Sequence, residues 1–86
     1  MNTAFLLMAQ YDGLSVIPLE AVCRDYFPQY SPTTFIAKIR AGEIKLPLVR
    51  LGPGQKAAKG VHLQDLAEYI DKCREAARKE LEQMTR

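Results

Sequence analysis

Six bases, Lys38, Arg40, Lys45, Arg50, Lys56 and Lys59, stand in one stretch of this 86-residue chain, where Glu43 is the only acid. Residues 1–25 carry −2, residues 26–64 carry +5 and residues 65–86 carry −1, which returns the overall +2. A basic middle between mildly acidic ends is chemistry for gripping a polyanion. Thr33 and Thr34 add hydroxyl donors near the start of the stretch, and Gln55 adds an amide between Gly54 and Lys56. These types suit phosphate and base-edge contacts to double-stranded DNA. The competing reading is a solvated surface with a chance excess of lysine.

Other chemistries find little support. His62 is the sole histidine, so no second imidazole stands at a metal-ligand spacing. Its simpler role is to cap a helix or face solvent. The serines are Ser15 and Ser31, and neither has a histidine and acid patterned around it for nucleophilic attack. "GPGQKAAKG" has glycine and lysine like a phosphate loop but lacks the closing Lys-Ser/Thr pair. A non-enzyme without cofactor or metal is expected. No apolar run approaches a membrane span, so the expected location is the cytoplasm.

The elements that position the bases follow from periodicity. Thr3 is placed to cap a helix over about 4–11, stopped by Asp12-Gly13. Ser15-Val16-Ile17 is a brief extended piece before Pro18. Leu19, Val22, Cys23, Tyr26 and Phe27 then give the full stripe of a core-facing helix. Ser31-Pro32 is a strong start for the next helix, which runs to about Ala41, with Gly42 as its left-handed stop. Residues 46–51 read as a strand entered at Pro47, and Lys59 to Leu63 as its return after Gly52-Pro53-Gly54. A long amphipathic helix follows over about 63–84, with Glu68–Lys72, Glu75–Lys79 and Arg78–Glu82 as supporting pairs.

On the helix at 32–41, Phe35, Ile36 and Ile39 mark the buried side. Ala37, Ala41 and Thr34 lie opposite, flanked by Thr33, Lys38 and Arg40. Small residues at the centre and donors at the edges let such a face sit deep in a major groove. The hairpin over about 48–62 brings Arg50, Gln55, Lys56 and Lys59 to the neighbouring backbone, and Gly52, Gly54 and Gly60 are expected to let it come close to phosphates. The expected fold is mainly α with a small β-hairpin wing. It is a single domain, 1–86, with a winged helix-turn-helix over 1–62 and a long C-terminal helix over 63–86.

The pattern resembles the MerR-type and excisionase winged helix domains. The shared features stand here as Leu19-Glu20-Ala21-Val22, Ser31 through Ala41-Gly42-Glu43-Ile44, Val49-Arg50, and Asp65-Leu66-Ala67-Glu68-Tyr69-Ile70. Over nearly the whole chain, "MNTAFLLMAQY", "VIPLE", "AGEIKLPLVRL" and "QKAAKGVHLQDLAEYID" resemble the pyocin activator protein family, PrtN. That resemblance implies a small bacterial or phage-borne transcription activator that binds a promoter-proximal box and turns on bacteriocin or phage-like genes. RNA polymerase is a further candidate partner. The rival functions are an excisionase-like architectural factor that bends DNA and a small protein that antagonises a host factor.

A helix of 22 residues is roughly 33 Å long, more than a domain of this size can cover. Its outer stripe, Cys73, Ala77, Leu81 and Met84, and the apolar N-terminal residues Phe5 and Met8, are therefore expected to meet a second copy in a homodimer or higher oligomer. Cys23 and Cys73 both fall on apolar stripes and are expected to be buried and reduced.

Overall fold

A computed structural model describes residues 2–54 and 56–85. The elements are α1 (Thr3–Gln10), β1 (Val16–Pro18), α2 (Leu19–Tyr26), α3 (Pro32–Arg40), β2 (Val49–Leu51), β3 (Ala58–His62) and α4 (Leu63–Met84). The chain is mainly helical, with one small antiparallel sheet ordered β1-β3-β2.

Expected and observed helices agree to within a residue or two, and each end has a local cause. The α1 cap is Asn2, whose Oδ1 accepts from Phe5 N at 2.7 Å. Thr3, expected in that role, instead donates its hydroxyl to Asp71 of α4 and ties the two helices. For α3, Ser31 Oγ accepts from Thr34 N at 3.2 Å, and Pro32 takes the first helical position. Gly42 closes α3 at φ +79, and both Glu43 N and Ile44 N return to Lys38 O. His62 Nδ1 accepts from Gln64 N at 3.0 Å and caps α4.

The sheet differs from the expected hairpin. The piece before Pro18 is a third strand, paired with β3 in the register Val16↔His62, Ile17↔Val61, Pro18↔Gly60. Leu63 N also bonds Ser15 O at 2.8 Å. β2 begins at Val49 rather than residue 46, because Ile44 and Leu46 are both buried from an irregular segment and Pro47 has no N–H for a ladder. Gly60 fills the centre of the sheet. A Cβ there would sit 2.5 Å from the Ile17 carbonyl oxygen and 2.7 Å from Val16 Cγ1. Gly60 is therefore a packing glycine, buried between strands, and not the phosphate-facing residue that the sequence suggests.

The core joins Leu7 and Tyr11 of α1 and its end, Ile17, Leu19, Val22, Phe27, Phe35, Val61, Leu63 and Leu66. Phe35 stacks on Phe27 with ring centroids 4.7 Å apart, and Tyr69 meets Phe27 at 5.8 Å. Tyr11 donates its hydroxyl to Asp25 Oδ2 at 2.7 Å. Burial, and next that bond, push the Tyr11 phenol far above its usual range. The Arg24 guanidinium, then the Tyr11 hydroxyl, hold the Asp25 carboxyl below the ordinary carboxylate value.

The two cysteines part company. Cys23 is buried, with its thiol on the carbonyls of Phe27 and Tyr30, and burial raises its pKa. Cys73 is exposed, because α4 leaves the body after Ile70, and every residue from 71 to 85 is exposed. Among the described residues the ion pair on α4 is Arg78 with Glu75 at 4.0 Å, an i,i+3 contact, in place of the expected i,i+4 pairs. No described helix is long and apolar enough to cross a membrane.

Candidate nucleic-acid interface

The capped start and glycine stop of α3 fix which of its sides faces out. Phe35 is wholly buried and Ile36 and Ile39 are half-buried, so Thr33, Thr34, Ala37, Arg40 and Ala41 are left exposed. Two hydroxyls stand in the first turn, where helix N–H groups have no intrahelical acceptor. Ser31 Oγ satisfies one of these groups and also donates to Thr34 Oγ1 at 3.0 Å. Two alanines keep the middle of the face shallow, and Arg40 stands at its C-terminal end.

Lys38 is placed differently from the other bases. Its ammonium lies 3.2 Å from Glu43 Oε2 and 5.5 Å from the Tyr30 ring centroid. The side chain is 32% exposed, so it is partly folded back over the turn that ends α3. Tyr30 and Glu43, both unassigned in the sequence reading, thus share in shaping this edge. The available signal was local: Tyr30 precedes the cap and Glu43 follows the stop glycine.

Lys45 is exposed but belongs to another neighbourhood. It lines a groove against α4 with Asp65, Glu68 and Lys72, formed because Ile44 and Leu46 on either side of it point into the core.

The hairpin puts Arg50 directly opposite Lys59 in the β2–β3 register, between the pairs Val49↔Gly60 and Leu51↔Ala58. Like charges directly opposite one another are unfavourable unless something negative comes between or beside them. Lys56 is exposed in the turn, and Gln55 lies outside the described residues. Gly52 at φ +131 and Gly54 at φ +87 hold backbone that side-chain-bearing residues rarely adopt. Leu51 is 58% exposed beside Val16, Pro18 and Ala58 in a shallow depression that Glu20 and Lys59 also line. Its exposure could not be read from an alternation only three residues long.

Among the described residues Arg40, Lys45, Arg50 and Lys56 have no carboxylate within ion-pairing reach, whereas Arg24, Lys38 and Arg78 do. Lys72, Arg74 and Lys79 of α4 are likewise without an ion pair among the described residues, but acids are interspersed with them, whereas from the end of α3 through the hairpin Glu43 is the only acid in the sequence. No cluster of three or more His, Cys, Asp or Glu side chains placed to hold a metal occurs among the described residues.

The model of the pyocin activator protein PrtN family matches residues 3–77, most of the chain, and the chain belongs to that family. No curated protein and no solved structure matches it.

Proposed function

We propose that this member of the pyocin activator protein family is a transcription activator of pyocin genes that binds duplex DNA through a winged helix-turn-helix. The family supports the regulatory role. The order α1-β1-α2-α3-β2-β3 with sheet order β1-β3-β2 supports the architecture, since two short helices joined by a tight turn are followed by a hairpin. The observation that carries the reading is the excess of bases over the end of α3, the connection after it and the hairpin, where Glu43 is the only acid and is already paired with Lys38.

In this reading α3 enters the major groove with Ala37 and Ala41 giving clearance. Thr33 and Thr34 bond phosphate beside the helix N-terminus, and Arg40 reaches a base edge or phosphate. Lys38 stays at the edge of the face, where a phosphate competes with Glu43 for its ammonium. Arg50, Lys56 and Lys59, with Gln55 between them in the chain, lie on the neighbouring backbone. Lys45, on the α4 side, contributes only to the long-range field. The activity lies in binding, and the protein is not an enzyme. Its place of work is the bacterial nucleoid.

Binding of an Arg50→Ala, Lys56→Ala variant to duplex fragments from pyocin promoters, followed across salt, tests the wing. Each lost phosphate contact flattens the slope of log K against log salt by about 0.9, so the pair removes about 1.8. Affinity should fall on all sequences by similar factors. An unchanged slope and affinity reject the wing as a phosphate clamp.

A further inference from the structure

α3 ends in a turn that decides which side chains meet at its edge. Gly42 N returns to Ile39 O at 3.1 Å and Glu43 N to Lys38 O at 3.0 Å, with Gly42 at φ +79. This pair of bonds brings the residue after the left-handed glycine beside the third residue from the helix end, and an apolar contact commonly joins the two. Here the two residues are Glu43 and Lys38, whose charged groups lie 3.2 Å apart. The Lys38 ammonium also stands 5.5 Å from the centroid of the Tyr30 ring.

The fold gains little from an acid at this place. The Glu43 side chain is 60% exposed, and an exposed ion pair adds little to stability. A carboxylate just past a helix C-terminus meets the negative end of the helix dipole, where bases are favoured. Lys45 and Lys72 line the same groove as Glu43, yet among the described residues its ion pair is with Lys38. Residues 26–64 otherwise hold six bases and no acid. The one acid of the candidate interface therefore stands at the edge of α3 and holds a base that the interface would use.

We propose that Glu43 is a specificity-determining residue that acts through Lys38, an inference that rests on the DNA-binding reading above. On a duplex of arbitrary sequence nothing seats α3, phosphates pass its edge at varying distance, and Lys38 stays with Glu43 and Tyr30. What it withholds there is one phosphate contact with its released counterion. On the promoter box, base-edge contacts lodge α3 in the groove and hold a phosphate beside Lys38, which then changes partner. Its flexible four-carbon stem lets the ammonium do so by rotation alone. Discrimination comes from weakening the wrong complexes, not from adding a contact to the right one.

The test titrates the full chain across salt with two duplexes of equal length, a pyocin promoter fragment and a scrambled sequence. Glu43→Gln keeps the shape of the side chain and removes its charge. On the scrambled duplex the variant should bind about threefold tighter, the scale of an exposed ion pair. Its slope of log K against log salt should steepen there by about 0.9. Both changes should be smaller on the promoter fragment, so the ratio of the two affinities narrows. In a Lys38→Ala background, Glu43→Gln should lose most of this gain. A gain of full size without Lys38 means that the carboxylate merely repels DNA, and it overturns the proposal. So does a loss of promoter binding in Glu43→Gln, the result expected of a carboxylate that reads a cytosine amino group. A wild type that binds neither duplex rejects the DNA-binding reading and this inference together. A wild type that binds DNA, with Glu43→Gln indistinguishable from it in affinity and slope, rejects this inference alone.

Discussion

Replacing Gly60 by alanine separates two roles that a glycine in a basic hairpin can have. The added Cβ would lie 2.5 Å from the Ile17 carbonyl oxygen, 2.7 Å from Val16 Cγ1 and 3.2 Å from the Ile17 carbonyl carbon. Ordinary C···O approach in sheets is about 3.3–3.6 Å, so β1 must retreat by roughly 0.8 Å. Overpacking of that kind costs about 1–3 kcal/mol. Each ladder hydrogen bond weakened between β1 and β3 adds about 0.5–1.5 kcal/mol, so a total near 2–4 kcal/mol is expected. A chain of this length has roughly 4–13 kcal/mol in all. At about 4–8 °C per kcal/mol, the thermal midpoint should drop by roughly 10–30 °C. Gly54→Ala is the control: its new Cβ meets nothing within 4 Å, and only the left-handed backbone at φ +87 is strained, for about 1–2 kcal/mol. Thermal melts followed by circular dichroism should therefore rank wild type above Gly54→Ala above Gly60→Ala. A Gly60→Ala protein that melts with the wild type but binds DNA poorly would refute the packing argument and return this glycine to the phosphate surface.

Two further substitutions probe the scaffold. Phe35→Ala removes the wholly buried ring stacked on Phe27, at a cost of about 3–5 kcal/mol. Denaturant unfolding should show most of the stability gone, while Phe35→Leu stays folded; a loss in the alanine variant no larger than in the leucine variant contradicts the placement of that ring. Tyr11 keeps its proton in the folded state well past the pH at which the unfolded chain releases it, near 10, because of burial and its bond to Asp25. Stability should therefore be complete below pH 10 and decline as pH rises beyond it. Tyr11→Phe should flatten that alkaline decline in part, since burial raises Tyr26 and Tyr69 as well. An equally steep decline in the variant rules out Tyr11 as a contributor.

What the sequence makes legible is what short-range periodicity and capping determine. Leu19, Val22, Cys23 and Phe27 point one way because a helix repeats every 3.6 residues, and Ser31-Pro32 and Gly42 bracket α3 by their own backbone preferences. The third strand was hidden because Val16 and Ile17 find their partners, His62 and Val61, more than forty residues later, and a three-residue strand has no period to read. Gly60 was misread for the same reason, since its neighbour across the sheet is the distant β1. Cys73 continues the stripe of Leu66 and Ile70, and periodicity cannot tell where a helix outruns the body that covers it. Within the candidate site, the outer face of α3 was legible from Phe35, Ile36 and Ile39. The contact of Lys38 with Tyr30 and Glu43 was not, because it depends on how the chain turns after Gly42.

β3 is paired on both sides and passes without a break from His62 into α4. Hairpin and rod therefore share one pivot. A tilt of about 10° there, over a rod roughly 33 Å long, swings its far tip by about 6 Å. Any load that reorients the hairpin is thereby magnified at the opposite end of the molecule, with the sheet as fulcrum.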